Sequence, residues 1–146
     1  MFVPKMQFIG IVGSSTAEKP EANQDNIAKA VHDILSQYNK SDTTIVSGGG
    51  EGVDTIAVNV AKHKGFSTLE YPPTSKNWEE YKKRNLQIAS KCEKVYSIAL
   101  RLGTSKGWRK NVQCYHCKNA GKDTMHEKTA GCYTGKANGN YEVIVV

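Results

Sequence analysis

Residues 43–54 read Thr-Thr-Ile-Val-Ser-Gly-Gly-Gly-Glu-Gly-Val-Asp, and this stretch decides the fold. Its β-branched start predicts a strand over 43–47, and the apolar spacing after the glycines predicts a helix from about Val53. Glycine lets the backbone approach a ligand closely. The N-terminus of a helix offers unpaired N–H groups and a positive dipole end. Strand, glycine cluster and helix in this order predict a cradle for an anion, most often a phosphate.

The glycine loop at 48–52 also carries acidic residues. It is neither a P-loop nor a dinucleotide-binding fingerprint, because the P-loop Lys-Ser/Thr pair is missing and the glycine spacing differs. Glu51 and Asp54 favour the start of a helix through its dipole, and either carboxylate could instead hold a ribose hydroxyl. A ligand role is favoured over a purely structural turn, and the candidate nucleotide-binding glycines are Gly48, Gly49, Gly50 and Gly52.

Composition and charge narrow the class of protein. A chain of 146 residues, 38% hydrophobic and 23% charged, suits one globular domain. It shows no signal-peptide pattern and no run long enough to span a membrane, so a cytoplasmic protein is expected. The net charge is +6, and residues 101–146 carry eight basic against three acidic side chains. This skew favours an acidic partner such as a nucleotide or nucleic acid, although a plain solvated basic surface explains it equally well.

Apolar runs alternate with amphipathic segments along the whole chain. The expected strands are residues 7–12, 43–47, 66–71, 94–100 and 141–146. The expected helices are residues 23–38, 53–63 and 78–92, the last capped by Asn77, with a short one near Thr134. This alternation predicts an α/β fold: a Rossmann-like, doubly wound, mainly parallel sheet of about five strands. Residues 1–146 then form one nucleotide-binding domain, with an irregular Cys/His-containing insertion at 101–132.

Such sheets bind ligands beyond the carboxyl ends of their strands, near the topological switch point. Gly13, Ser14 and Ser15 follow the first strand, where amides and hydroxyls could bind phosphate or ribose, although these are also ordinary turn residues. Arg84 could clamp a phosphate and Asn85 could bind sugar or base. The alternative for this pair is a solvated basic face, since lysines precede it.

Four residues near the C-terminus have the spacing of a metal site, Cys-x2-Cys-x8-His-x5-Cys. Two thiolates separated by two residues make half of a zinc knuckle, and the histidine and last cysteine could complete a tetrahedron. Four protein ligands imply a closed, structural zinc site rather than a catalytic one. The alternative is free cysteines in a loop. The candidate ligands are Cys114, Cys117, His126 and Cys132, whereas Cys92 stands apart and is expected to pack in the core.

Four stretches resemble the SLOG superfamily, which includes the Lonely Guy (LOG) phosphoribohydrolases, DNA-processing protein A and the YspA/YpsA-like proteins. They are residues 9–15, 45–57, 81–89 and 129–134. The Ser-Gly-Gly-x-x-Gly-Val-Asp form is closer to the YspA-like branch than to the LOG enzymes. The resemblance implies that Arg84 and Asn85 point toward a nucleotide pocket. It also implies that Thr129, Gly131 and Thr134 belong to a second phosphate-side loop.

Three functional hypotheses follow. The leading one is a nucleotide or nucleotide-derivative binding protein, acting as a sensor or as a nucleotide-processing enzyme. The second is a LOG-type hydrolase of the N-glycosidic bond in a nucleoside monophosphate. The carboxylate expected after the fourth strand in that family is missing, so Glu51 and Arg84 are the candidate catalytic residues.

The third hypothesis is single-stranded nucleic-acid binding, similar to DNA-processing protein A. It is motivated by the basic tail and by Trp108, which could stack on a base or serve as a packing anchor. Trp78 is expected to pack at a helix start. Superfamily relatives often assemble, so a homo-oligomer is also expected.

Overall fold

The structure, a computed structural model, describes residues 5–15, 21–75, 77–104, 112–117 and 125–146. Strands and helices alternate along these residues. The strands are β1 (Gln7–Gly13), β2 (Thr43–Ser47), β3 (Ser67–Glu70), β4 (Lys94–Ala99) and β5 (Tyr141–Val145). The helices are α1 (Glu21–Leu35), α2 (Val53–His63), α3 (Trp78–Lys91) and α4 (Ala130–Asn138).

The strands form one parallel sheet in the order β3-β2-β1-β4-β5. The central strand β1 pairs with β2 through residues such as Ile9 and Ile45, and with β4 through Gly10 and Val95. The chain winds outward from β1 to β3 on one side and from β4 to β5 on the other. The switch point therefore lies between β1 and β4. The predicted α/β fold with a parallel sheet of five strands is confirmed.

Helices cover both faces of the sheet, as the near-continuous apolar strands require. Alternate residues of β1 enter two separate cores. Ile9 and Ile11 pack with residues of α1 and α2, whereas Val12 packs with residues of α3 and α4. On the second face Gly10 allows close approach, because a Cβ there would lie 3.2 Å from Cys92 Sγ.

Local capping fixes where the helices begin and end. Asn77 Oδ1 accepts from the Glu80 amide at 3.0 Å, which confirms the predicted cap of α3. The Glu80 carboxylate accepts from Thr74 Oγ1 at 2.6 Å rather than closing a capping box. Helix α4 begins at Ala130, earlier than predicted, because the Thr129 side chain caps it. Helix α1 ends at Leu35, three residues early.

The lone cysteine behaves as predicted. Cys92 is 7% exposed and belongs to the core under α3, and burial raises the pKa of its thiol to about 12. No helix among the described residues is both long and apolar enough to cross a membrane.

Candidate functional site

Three glycine-bearing segments meet at the carboxyl edge of the sheet. The Val53 amide donates to the Ser14 carbonyl at 3.2 Å, which joins the start of α2 to the loop after β1. From the other side, a Cβ added to Gly131 would lie 3.0 Å from Gly13 Cα. This close approach at residue 131 is open only to glycine. The structure thus brings the three candidate loops together, while their role in ligand binding stays a prediction.

The glycine loop at 48–52 needs its glycines for conformation as well as for space. Gly49 and Gly52 have φ of 72° and 80°, in the left-handed region that L side chains avoid. A Cβ at Gly48 would collide with the Arg84 guanidinium. Two of the glycines are therefore explained by backbone geometry, and a third by the approach of an arginine.

Arg84 lies directly against the glycine loop. It is 7% exposed, and its Nη1 donates to the Gly48 carbonyl. Its Nε donates to Asn85 Oδ1 at 2.8 Å, and its Cζ lies 5.1 Å from the centre of the Tyr81 ring. Helix α3 holds this cation at the sheet edge, where the resemblance implied a nucleotide pocket.

Asp54 is the carboxylate beside Arg84. Its Oδ2 lies 3.9 Å from Arg84 Nη1 and accepts from the Gly50 amide at 3.3 Å. Burial raises the pKa of Asp54 to about 6, against the opposing pull of Arg84 and of the Gly50 hydrogen bond. The buried Asp54 Oδ1 and Asn85 Nδ2 have no hydrogen-bond partner of ordinary geometry among the described residues. One amide of the predicted cradle is thus already used by the protein's own carboxylate.

Glu51 lies on the outer side of the loop. It is exposed and lines a surface concavity of about 470 Å³ together with Gln24, Gly52 and Thr55. No hydrogen bond or ion pair joins Glu51 to Arg84 in the described part of the chain. A joint catalytic role for these two residues stays a prediction, and the carboxylate adjacent to Arg84 is Asp54.

The start of α4 forms the third segment of the site. Thr129 Oγ1 accepts from the Gly131 amide at 3.1 Å and caps the helix. Thr134, a predicted ligand-binding residue, is 1% exposed, and its hydroxyl donates to the Ala130 carbonyl at 3.2 Å. Gly131 therefore lies where the loops meet, whereas the Thr134 hydroxyl is engaged within its own helix.

The four predicted metal ligands converge. Their donor atoms lie within 4.8 Å of one another and all four side chains are buried: Cys114, Cys117, His126 and Cys132. His126 Nε2 lies 3.6 Å from Cys117 Sγ and 3.9 Å from Cys132 Sγ. A tetrahedral zinc with ordinary bond lengths places sulfur and nitrogen about 3.6 Å apart. The cluster therefore has the donors and the spacing to hold a metal ion.

The surroundings of the cluster orient its donors. His126 Nδ1 lies 2.8 Å from the Glu127 carbonyl, an arrangement in which Nδ1–H donates and Nε2 is left to face the thiols. Ser97 Oγ lies 3.3 Å from Cys132 Sγ. The hydrogen bond from Cys132 holds the pKa of Cys114 below its usual range, whereas the pKa of Cys132 is raised by the same bond and by burial.

Short backbone pairings hold the two cysteine-bearing segments in place. The Cys114 amide donates to the His126 carbonyl at 2.9 Å, and the Lys128 amide donates to Val112 at 2.8 Å. The Glu127 amide donates to the Leu100 carbonyl at 2.8 Å, next to the end of β4. Cys132 belongs to α4 itself, so the cluster ties this irregular region to the fold.

Comparison with known proteins assigns the family. The family model described as DNA recombination-mediator protein A matches residues 2–100. The chain belongs to this family. The match confirms the predicted resemblance to the superfamily that includes DNA-processing protein A. It covers the loops at 13–15 and 48–52 and the Arg84 helix, and it ends before the Cys/His cluster.

One solved structure that resembles this chain is the X-ray structure of DNA processing protein A from Streptococcus pneumoniae, at 23% identity and a TM-score of 0.48. The match covers 63% of this chain and 41% of that one, so this chain spans less than half the length of that relative. No curated protein matches the chain.

The sequence did not predict every residue that contacts the site. Ser97 is a strand residue whose contact with Cys132 has no sequence signal. Trp78 is 48% exposed, and it meets the Tyr133 ring at 5.4 Å. Trp78 therefore packs at the start of α3 through its contact with Tyr133, as expected, while about half of its side chain stays open to solvent. Trp108 lies outside the described residues.

Proposed function

We propose that this chain binds a phosphate-bearing nucleotide ligand at the carboxyl edge of its sheet. The observation that carries the proposal is the placement of the Arg84 guanidinium on the Gly48 carbonyl, within one of the three glycine-bearing segments at this edge of the sheet. Arginine suits phosphate through paired donors and permanent charge. The concavity beside Gly52 supplies open space at the same loop.

Calorimetric titration with AMP, ADP, ADP-ribose and inorganic phosphate tests this proposal. Arg84→Ala and Arg84→Lys should both weaken binding, because a lysine keeps the charge but loses the paired donors. Lys82→Ala on the same helix is the matched control, since Lys82 is an exposed cation, and it should bind as the parent does. Equal affinity of the parent and both Arg84 variants would refute the assignment, as would the absence of binding by any of the compounds.

Single-stranded nucleic acid is the second candidate ligand. The family match over residues 2–100 favours it, because the family is described as a DNA recombination mediator. The excess of five positive charges in residues 101–146 is the electrostatic complement of a phosphate backbone. Affinity for an oligonucleotide should then fall steeply with salt, and affinity that does not change with salt would count against this candidate.

We further propose that the Cys/His cluster holds a structural zinc ion. Three thiols and an imidazole are a donor set that zinc favours, and four protein ligands leave no open position for chemistry. Elemental analysis of the purified protein should find about one zinc per chain. Cys114→Ser should lower this content and Cys92→Ser should not, because Cys92 lies outside the cluster. Full zinc content in the Cys114→Ser protein would refute the assignment.

A further inference from the structure

Four ring side chains lie in a row across three elements of the surface. Trp78 at the start of α3 meets Tyr133 of α4, with ring centres 5.4 Å apart. Tyr133 meets His116 at 5.8 Å, and His116 meets Tyr115 at 4.4 Å. The two ends of the row are open to solvent, Trp78 at 48% and Tyr115 at 58% exposed. We call these four residues the aromatic row.

Cations accompany the row toward its Tyr115 end. Lys128 Nζ lies 4.8 Å from the centre of the Tyr115 ring. Lys136 is exposed on α4, three residues after Tyr133 and so on the same side of that helix. At the other end, Glu79 and Glu80 follow Trp78, so the positive charge is concentrated where the Cys/His segment begins.

The row also leads toward the candidate ligand site. Trp78 and Tyr81 are one helical turn apart on α3, and the Tyr81 ring lies 5.1 Å from Arg84 Cζ. Rings and cations therefore follow one another from the glycine loop to the cysteine-bearing segment.

We propose that the aromatic row is a stacking platform for the bases of single-stranded nucleic acid. The exposed rings at its two ends, Trp78 and Tyr115, offer π-faces to bases. The half-buried Tyr133 and His116 connect them, and neighbouring lysines can meet the phosphates between the bases. The inference rests on the second candidate function for its partner, but its location does not come from the family. Three of the four rings lie after residue 100, where the family match ends, and two of them lie between Cys114 and Cys117.

The alternative to a stacking platform is a docking surface for another protein. A buried protein interface is depleted of lysine at its centre, whereas Lys128 lies over one ring of the row and Lys136 beside another. The chemistry of the row therefore favours a polyanion with aromatic bases.

The experiment compares two labelled strands of 20 nucleotides, one of thymidines and one abasic, by fluorescence anisotropy. The protein carries Trp108→Phe, which leaves Trp78 as its one tryptophan because the chain has two. The base-bearing strand should bind more tightly and quench Trp78 fluorescence. Trp78→Ala and Tyr115→Ala should each weaken its binding by at least about fivefold, the lower end of the effect of one stacked base. Trp78→Phe should restore most of the affinity.

Controls separate stacking from charge and from folding. Leu86→Ala removes an apolar side chain of α3 that is 42% exposed and should have no effect. Lys128→Ala should lower the salt slope by about 0.7, the value for one phosphate contact to a single strand, whereas the ring variants should leave the slope unchanged. The proposed stacking role of the aromatic row is refuted if both strands bind with equal affinity, or if the ring variants bind as tightly as the parent does. No binding of either strand refutes both the row and the nucleic-acid candidate, while nucleotide binding through Arg84 is judged separately by calorimetry.

Discussion

Replacement of Asp54 by Asn should change how the stability of this protein depends on pH. Burial holds the pKa of Asp54 at about 6 in the folded chain, against an ordinary value of 3.8. Between these two values the unfolded chain has released the proton that the folded chain keeps. Each rise in pH therefore favours unfolding, and the loss of stability levels off once the pH is well above 6 and the folded chain has released the proton too.

The size of the effect follows from the two pKa values. Their difference corresponds to about 3 kcal/mol of unfolding free energy, of which about 2 kcal/mol is lost between pH 4.5 and 7.5. Asp54→Asn keeps the shape and an oxygen that can accept from the Gly50 amide, but it does not ionise. Between pH 4.5 and 7.5, the free energy of unfolding of the variant should therefore rise by about 2 kcal/mol relative to that of the parent.

Urea denaturation at pH 4.5, 5.5, 6.5 and 7.5, with zinc present throughout, measures this difference. Protonation of the cluster ligands at low pH affects both proteins alike and cancels in the comparison. Glu51→Gln removes an exposed carboxylate of the same loop and should leave the parent profile unchanged. A constant difference between Asp54→Asn and the parent would refute the reasoning. A difference of opposite sign would show that attraction to Arg84 outweighs burial.

Three further results are expected. Gly131→Ala should lower the free energy of unfolding, measured in urea, by about 1–3 kcal/mol. The new Cβ would lie 2.7 Å from Ser97 Oγ and 3.0 Å from Gly13 Cα. Unchanged stability would mean that the two segments can move apart without loss of free energy. Asn138→Ala should lower the free energy of unfolding by about 1–3 kcal/mol, since Asn138 Nδ2 donates to the Ala89 and Cys92 carbonyls at 2.9 and 2.7 Å. A decrease of less than about 0.5 kcal/mol would show that water replaces the amide as the donor. Asp54→Asn should strengthen ADP binding in calorimetry, because it removes a negative charge from the Gly50 amide; weaker binding would instead support Asp54 as a partner of the ribose.

The sequence was sufficient for most of the fold because each element had a local cause. Asn77 caps α3 in the structure as its position predicts, and the β-branched run at 43–47 is β2 to the residue. The end of α1 was placed too late because Tyr38 continues the helical spacing. After Leu35 the chain continues in turns, in one of which the Tyr38 amide donates to the Leu35 carbonyl. Tyr38 still packs against the core, where its hydroxyl shares a hydrogen bond of 2.7 Å with that of Tyr96.

The site was less predictable because its contacts join distant parts of the chain. Arg84 and Gly48 are 36 residues apart, and nothing in the sequence shows that Asp54 rather than Glu51 turns toward the arginine. The cluster ligands could be found because cysteine spacing is itself a signal. The aromatic row gave no such signal, since Trp78 and Tyr133 become neighbours only when α3 and α4 pack together.

The packing of α4 makes the cluster and the candidate ligand site parts of one structure. Gly131 and Cys132 are consecutive: the first touches Gly13 through the backbone, and the second gives its thiol to the cluster. Isolated backbone bridges join the segments around Gln113 and His126, and four buried donors around one ion would add to their order. Because Gly131 and Cys132 are adjacent in a helix turn that Thr129 caps, we expect a shift of Cys132 to move Gly131 relative to Gly13. Chemistry at the cysteines would then alter how the start of α4 approaches the loop after β1, because Cys132 belongs to that segment.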